Sequence, residues 1–373
     1  MNHYFNHAAR TPLSPAVQEA LLLYQSERSA TERDRLIGIY RQHIAELLQI
    51  MPAQVHFTTG GTEANKRALQ YSFSETTVRH VITSRLEHPS VLRPLEQLEQ
   101  RGLIRIHYTA LDEQGRVILP DLIRLLQIYP QSLLSLMHGN DETGHVLDLD
   151  VIASVSQRYR TLFHSDTAQT VGKLSVPLGI LDFATASAAK FGGPEGIGLL
   201  LTAPNQRGST RVAIPENVLA TENLAGIVGM TKALELSLAQ QASRMKYLND
   251  LKSYFIYELT RLFPATPFLG PSRSLTQCLP GLLHVSFPPL ASGVSLLRTL
   301  QQRGITAANG HIDWSKPANL RREFTANFSP ETIRFSMGPD NTFQEIHSVI
   351  RILREVYQEQ SVLPSASLHY HVF

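Results

Sequence analysis

Through the first two thirds of the chain, short apolar runs alternate with stretches whose apolar residues recur every three or four positions. Val55–Thr58 is one such run, followed by a Gly-Gly turn and a helical pattern over Glu63–Gln70. His80–Ser84 leads into Val91, Leu92, Leu95 and Leu98 at helical spacing, which Gly102 stops. Ile104–Thr109, Ser132–His138 and Leu162–Ser165 read as further strands, with a helix over Leu149–Tyr159 between the last two. This alternation predicts an α/β fold, a mainly parallel sheet between layers of helices. Ligands of such sheets bind at the carboxyl ends of the strands.

The last third has a different rhythm. A long helical stretch runs from Leu224 to about Phe263, and Pro267–Gln277, rich in Pro, Ser and Gly, reads as a linker. A strand (Leu282–Phe287), a helix (Val294–Gln302), a strand (Thr332–Met337) and a helix (Thr342–Tyr357) follow, and the tail from Ser361 reads as irregular. The expected division is a large domain over 14–255 and a small C-terminal α/β domain built from 1–13 and 256–373.

Composition narrows the possibilities further. A chain of 373 residues is long enough for two substantial cores, and 43% apolar with 18% charged residues excludes wholesale disorder. A net charge of +2 gives no basis for binding nucleic acid or a membrane surface. The sequence has no apolar run of transmembrane length and no secretory pattern at Met1–His7, so a cytoplasmic protein is expected. The single cysteine, Cys278, excludes an intramolecular disulfide and a multi-cysteine metal site. Fifteen histidines are scattered without His-Glu-x-x-His or a comparable pairing, so no metal site is expected.

Two segments carry the candidate chemistry. Phe163–Lys173 places Asp166 at the end of an apolar run, and Ser187-Ala-Ala-Lys190 places an amine ahead of a Gly-Gly-Pro turn. A lysine and a carboxylate at two strand ends suit pyridoxal phosphate. The amine forms a Schiff base with the cofactor aldehyde, and the carboxylate keeps the ring nitrogen protonated. Upstream, Thr58-Thr-Gly-Gly-Thr-Glu-Ala-Asn65 is a strand end, a glycine turn and a helix start. Backbone N–H groups around Gly61, together with the Thr62 hydroxyl, make an anion site suited to the cofactor's phosphate.

Taken in order, these segments resemble the cysteine desulfurases, within the class V aminotransferase group of fold type I pyridoxal-phosphate enzymes. Tyr4–Pro12 is similar to Y-L-D-N-A-A-T-T-P and Phe57–Asn65 to F-T-S-G-A-T-E-S-N. Ile82–His88 is similar to I-T-S-x-x-E-H, Met137–Gly144 to M-x-x-N-N-E-I-G, and His164–Lys173 to H-V-D-A-x-Q-x-x-G-K. Ala220–Asn223 matches the end of R-x-G-T-E-N, and Ile333–Gly338 matches I-R-F-S-L-G. The resemblance implies an aspartate-aminotransferase-like fold, a homodimer and an α-amino acid substrate. It also implies roles. Lys190 would carry the cofactor, Asp166 would pair with the ring nitrogen, and His88 would stack on the ring. Gln169 would contact the phenolic oxygen, Thr62 and Ser187 the phosphate, and Thr221 the phosphate of the partner subunit. Arg334 would bind the substrate carboxylate. Taken singly, Asp166 also suits a helix cap, His88 a core position and Arg334 the surface.

The departures are equally informative. The family's nucleophilic cysteine should fall near Ile305–Trp314, which has none; His311 lies close to the vacant slot, and Cys278 lies well upstream. The second asparagine of N-N-E-I-G, which implies a hydrogen bond to the phenolic oxygen, is Asp141. A carboxylate there repels a phenolate unless one of them is protonated. Ala189 replaces a histidine that contacts the phosphate, Val218 replaces an arginine, and the G-N-P-S-S segment near Tyr24–Arg35 is unrecognisable. Arg10, where the family has threonine, is a candidate replacement for the lost positive charge. The resulting expectation is carbon–sulfur lyase or desulfurase-like chemistry without an enzyme persulfide, with a sulfur-acceptor protein as a possible partner. The alternatives are an aminotransferase or epimerase on another amino acid, or a non-catalytic partner of an active paralogue.

Overall fold

The computed structural model describes residues 2–24, 29–74, 77–203, 223–290, 294–309 and 331–359. The chain opens with a short strand, β1 (His3–Tyr4), and two helices, α1 (Pro15–Leu22) and α2 (Ala30–Leu48). Then come β2 (Val55–Thr58), α3 (Gly61–Ser74), β3 (His80–Thr83), α4 (Pro89–Gln100), β4 (Arg105–Tyr108), α5 (Leu119–Ile128) and β5 (Leu133–Ser135). Next are α6 (Leu149–Arg158), β6 (Leu162–Asp166), β7 (Phe183–Ser187) and β8 (Gly198–Thr202). The remainder is α7 (Leu224–Ala239), α8 (Gln241–Leu262), β9 (Leu282–Ser286), α9 (Leu296–Gln302), β10 (Ile305–Thr306), β11 (Thr332–Ser336) and α10 (Phe343–Glu359).

Seven strands form the main sheet in the order β2-β8-β7-β6-β5-β3-β4. The pairs β3–β4, β3–β5, β5–β6 and β6–β7 are parallel, and β8 runs antiparallel to both β7 and β2. Neighbouring residues on each strand point to opposite faces, and both faces are covered. Ile82, Leu134, Phe163, Ala184 and Leu199 pack with Leu122, Ile152 and Ile227 on one side. Val81 and Leu133 meet Leu69, Val91 and Leu95 on the other, where Phe183 and Leu200 meet Ala64 and Ala68. Burial on both faces is why these strands read as apolar runs rather than alternating ones. The carboxyl ends of β2, β3, β5, β6 and β7 therefore share one edge of the sheet.

A second core gathers Phe5 with Phe255, Leu283, Phe335, Val349 and Leu353. Phe5 is fully buried against Phe255 and Phe335, at ring-centroid distances of 6.0 and 6.1 Å. Its loss to alanine would cost about 3–5 kcal/mol. Strand β1 pairs in parallel with β10, β9 pairs antiparallel with β11, and Ser336 N–H donates to Phe5 O. The N-terminal segment is thus stitched into the core formed by the end of the chain.

The long helical stretch expected from Leu224 is two helices. Gln240, at φ −109° and ψ 9°, leaves the helical region between α7 and α8. The two lie in different environments: α7 is buried against the first core over most of its length, whereas α8 contributes Leu251, Phe255 and Leu259 to the second. The sequence carries no glycine or proline there, so the break has no local signal.

Candidate active site

Asp166 is the last residue of β6, Ser187 the last of β7, and Thr58 the last of β2. Lys190 follows β7 by a single 3-10 turn, Ala188–Lys190. At this edge a cavity of about 270 Å³ is bordered by Gly61, Thr62, His88, Asp141, Asp166, Gln169, Ser187 and Lys190. Eight of the residues singled out in the sequence therefore surround one space. The turn into α3 packs tightly here because β8 begins with glycine. A Cβ on Gly198 would lie 2.6 Å from Ala186 O and 2.7 Å from the carbonyl carbon of Gly60.

Lys190 Nζ donates to Ala8 O at 2.9 Å and to Ala9 O at 2.7 Å. Thr11 clamps the same turn, its N–H on Ala189 O at 2.8 Å and its hydroxyl on Lys190 O at 3.1 Å. Burial pushes the Lys190 amine below the usual lysine range; Asp141 and Asp166 pull it up and Arg334 pushes it down. The amine therefore gives up its proton more readily than a solvated lysine, as Schiff-base formation requires.

Asp166 is buried and caps no helix. Its Oδ1 accepts from Ala168 N–H at 2.9 Å and its Oδ2 from the Asn65 amide at 2.7 Å. Burial raises its pKa, opposed by those two donors and by the charge of His88. A protonated pyridine nitrogen placed against it would supply the missing counter-charge and hold it ionised.

Asn65 and Ser90 were not among the expected site residues, and both prove central. Asn65 Nδ2 donates to Ser90 Oγ at 2.8 Å as well as to Asp166. Asn65 Oδ1 accepts from the Thr185 hydroxyl at 2.6 Å and from His164 Nε2 at 3.2 Å. His164 Nδ1 then accepts from the Ser135 hydroxyl at 2.9 Å. Ser90 N–H donates to His88 Nδ1 at 3.1 Å, and the Ser90 hydroxyl lies 2.6 Å from the same nitrogen. His88 is exposed at the start of α4 rather than a core residue. A continuous chain of side chains thus links Asp166, Asn65, Ser90 and His88. The only sequence signal for it was the position of Asn65 at the end of the Phe57–Asn65 motif.

Gln169 lines the cavity with its amide engaged elsewhere. Nε2 donates to Ala8 O at 2.9 Å, and Oε1 accepts from Lys173 Nζ at 3.1 Å. Arg334, on β11, is buried and not at the surface: its Nη1 donates to Glu142 Oε1 at 2.7 Å and to Asp141 O at 2.8 Å, with Asp141 Oδ2 at 3.6 Å. Its Nε is buried with no hydrogen-bond partner. Arg10 pairs with Glu195 at 3.1 Å, both side chains half exposed, outside the cavity. Thr221, Val218 and His311 lie outside the described residues. Among the described residues no cluster of three or more His, Cys, Asp or Glu side chains suits a metal ion.

The residues present fit pyridoxal phosphate: an amine, a buried carboxylate, and a helix N-terminus with the Thr62 and Ser187 hydroxyls share one cavity. A family model described as aminotransferase class-V matches residues 3–349. Over 95% of its length the chain is 30% identical to cysteine desulfurase IscS of Dictyoglomus turgidum, covering 94% of that protein. It is 29% identical to cysteine desulfurase IscS of Shewanella loihica, over 97% of this chain and 94% of that one. In fold it is similar to a NifS-like protein, with a TM-score of 0.81, 24% identity, and coverage of 96% of this chain and 100% of that one. It is also similar to the apo structure of a cysteine desulfurase from Thermococcus onnurineus NA1, with a TM-score of 0.81, 18% identity, and coverage of 96% and 95%. The chain belongs to the class-V aminotransferase family and is a pyridoxal-phosphate-dependent enzyme of cysteine desulfurase-like type.

Proposed function

We propose that the enzyme acts on an α-amino acid bearing sulfur at its β-carbon, by carbon–sulfur cleavage that uses no thiol of its own. The observation that carries this reading is the setting of Cys278, the only cysteine in the chain. It is 3% exposed, burial raises its pKa, and it is not among the residues that border the cavity. A buried, protonated thiol is a poor nucleophile, so sulfur released from the substrate has no enzyme persulfide to enter.

When bound, the cofactor supplies an electron sink for the bond-breaking at the substrate's α-carbon. Lys190 is the base for the Cα proton, a role that its lowered proton affinity suits. Asp166 would hold the charge of the ring nitrogen, with His88 and Gln169 on the walls of the same cavity. Arg334 takes the substrate carboxylate in this reading; its Nη1 is fixed by Glu142 and its Nε is buried and unpartnered, and it does not itself border the cavity. Elimination from L-cysteine breaks Cα–H and Cβ–S. The proton passes to Lys190, sulfur leaves as hydrosulfide to solvent, and the remaining enamine takes up water to give pyruvate and ammonia.

The same reading takes the protein to be a cytoplasmic homodimer divided into 14–255 and 1–13 with 256–373. The separation of the Phe5 core from the main sheet supports two units, although Leu251 and Phe255, inside 14–255, pack in the second core. Exposed Leu22, Leu23 and Ile39 support a second copy packed over α1 and α2. No described helix is long and apolar enough to cross a membrane.

The test is incubation of the cofactor-loaded protein with L-cysteine, assaying pyruvate, ammonia, sulfide and alanine. Equal yields of pyruvate and sulfide are expected. Alanine with protein-bound sulfur, lost in Cys278→Ser, would replace this reading by a thiol mechanism.

A further inference from the structure

A second, smaller cavity adjoins the first, with Lys190 and Gln169 forming walls of both. Its volume is about 80 Å³, room for a molecule of a few heavy atoms. Three bases, Lys173, Lys190 and Arg244, border it, and no aspartate or glutamate does. Phe191, Leu248, Leu279 and Met337 make much of the remaining wall. The cavity is therefore basic and apolar at once.

Its polar groups are under-used. His7 is 6% exposed and its Nδ1 has no hydrogen-bond partner. The ring packs against Gly338, where a Cβ would collide with the imidazole. Gln241 Nε2 is likewise buried and unpartnered. Lys173 spends one N–H on Gln169 Oε1 at 3.1 Å. Arg244 donates to Gln240 Oε1 at 2.9 Å and to Ser237 Oγ at 3.4 Å. Buried polar groups left without partners are uncommon in folded proteins. Here the donors of Gln241 and Lys173, and His7 in its Nδ1–H form, face one space with a surplus of positive charge.

We propose that this cavity binds a small monocarboxylate, its oxygens held among Lys173, Arg244, Gln241 and His7 and its short alkyl part against the apolar wall. The apolar lining separates this ligand from a fully hydrated inorganic anion. Burial and the charge of Lys190 bring the Lys173 amine down to about 7. A bound carboxylate supplies the counter-charge that returns it to the cationic form. The same negative charge acts on Lys190 across the shared wall, so occupancy raises the proton affinity of the catalytic amine.

The test is calorimetric titration of the cofactor-loaded protein with propionate, acetate and sulfate, in the wild type and in Arg244→Gln and Gln241→Leu. Saturable propionate binding, tighter than that of sulfate and weakened at least tenfold in Arg244→Gln, is expected. No saturable binding in the millimolar range, sulfate binding as tightly as propionate, or propionate binding unchanged in both variants would overturn the proposal. The visible absorbance of the lysine-bound cofactor, recorded on the same samples, tests the cofactor assignment separately. That absorbance survives failure of the second cavity.

Discussion

The Asn65 amide donates to Asp166 Oδ2 at 2.7 Å and to Ser90 Oγ at 2.8 Å, joining the buried carboxylate through Ser90 to His88. Asn65→Ala removes one of the two donors on Asp166 and leaves Ser90 to reorient. A hydrogen bond to a charged group contributes about 1.5–3 kcal/mol. Cofactor affinity should therefore fall roughly tenfold to a hundredfold, read from the visible absorbance across a pyridoxal phosphate titration. Affinity within twofold of the wild type would show that Ala168 N–H alone suffices.

Lys190→Ala should abolish both the visible absorbance of the lysine-bound cofactor and turnover, while Cys278→Ser should leave turnover largely intact. The pairing separates the roles of the two candidate nucleophiles. An undiminished visible band in Lys190→Ala would sink the assignment of that lysine.

Asp141 stands 3.6 Å from the guanidinium that would receive the substrate carboxylate, with Glu142 at 2.7 Å on the same nitrogen. Two carboxylates on one cation weaken its hold on a third. Asp141→Asn should therefore lower KM for an α-amino acid by up to about tenfold, equivalent to about 1.4 kcal/mol, with kcat less affected. A raised KM would mean that Asp141 binds the substrate rather than opposing it.

Burial lowers the pKa of His7, His56, His138, His145 and His284 to about 4, and that of His164 to about 3. Unfolded, each takes up a proton near 6.5. The unfolded state thus binds more protons between about 6.5 and 4, so their contribution is complete above 6.5 and drains away as pH falls through that window. The unfolding temperature should drop steeply between pH 6.5 and 4. A flat profile there would show that these histidines do not couple to folding.

Much of this was legible in the chain. The β2–α3 turn, the ends of β6 and β7, and the alternation that builds a parallel sheet are local patterns, and the structure brings Gly61, Thr62, His88, Asp141, Asp166, Gln169, Ser187 and Lys190 around one cavity. What escaped is non-local. Strand β8 is another buried apolar run, but nothing in its five residues announces that it runs antiparallel. The Asp166–Asn65–Ser90 network joins residues 25 to 101 positions apart, and no spacing rule connects them. Gln169 was expected at the cofactor's phenolic oxygen. It does line the cavity, and its Nε2 donates to Ala8 O, a contact that only folding brings near, while its Oε1 accepts from Lys173, four residues on.

The contacts made by residues 3–9 have a consequence for the order of folding. His3 N–H bonds to Gly304 O, Ala8 N–H to Ser336 Oγ, and Ala8 and Ala9 hold the amine of Lys190. His3 and Ala8 therefore wait for Gly304 and Ser336, which follow them far along the chain, before they find their places. Closing a loop of that length is slow compared with forming the sheet. The strands that carry Asp166 and Lys190 can assemble before the lysine is seated, so cofactor capture becomes a step that follows the docking of residues 3–9 onto the second core.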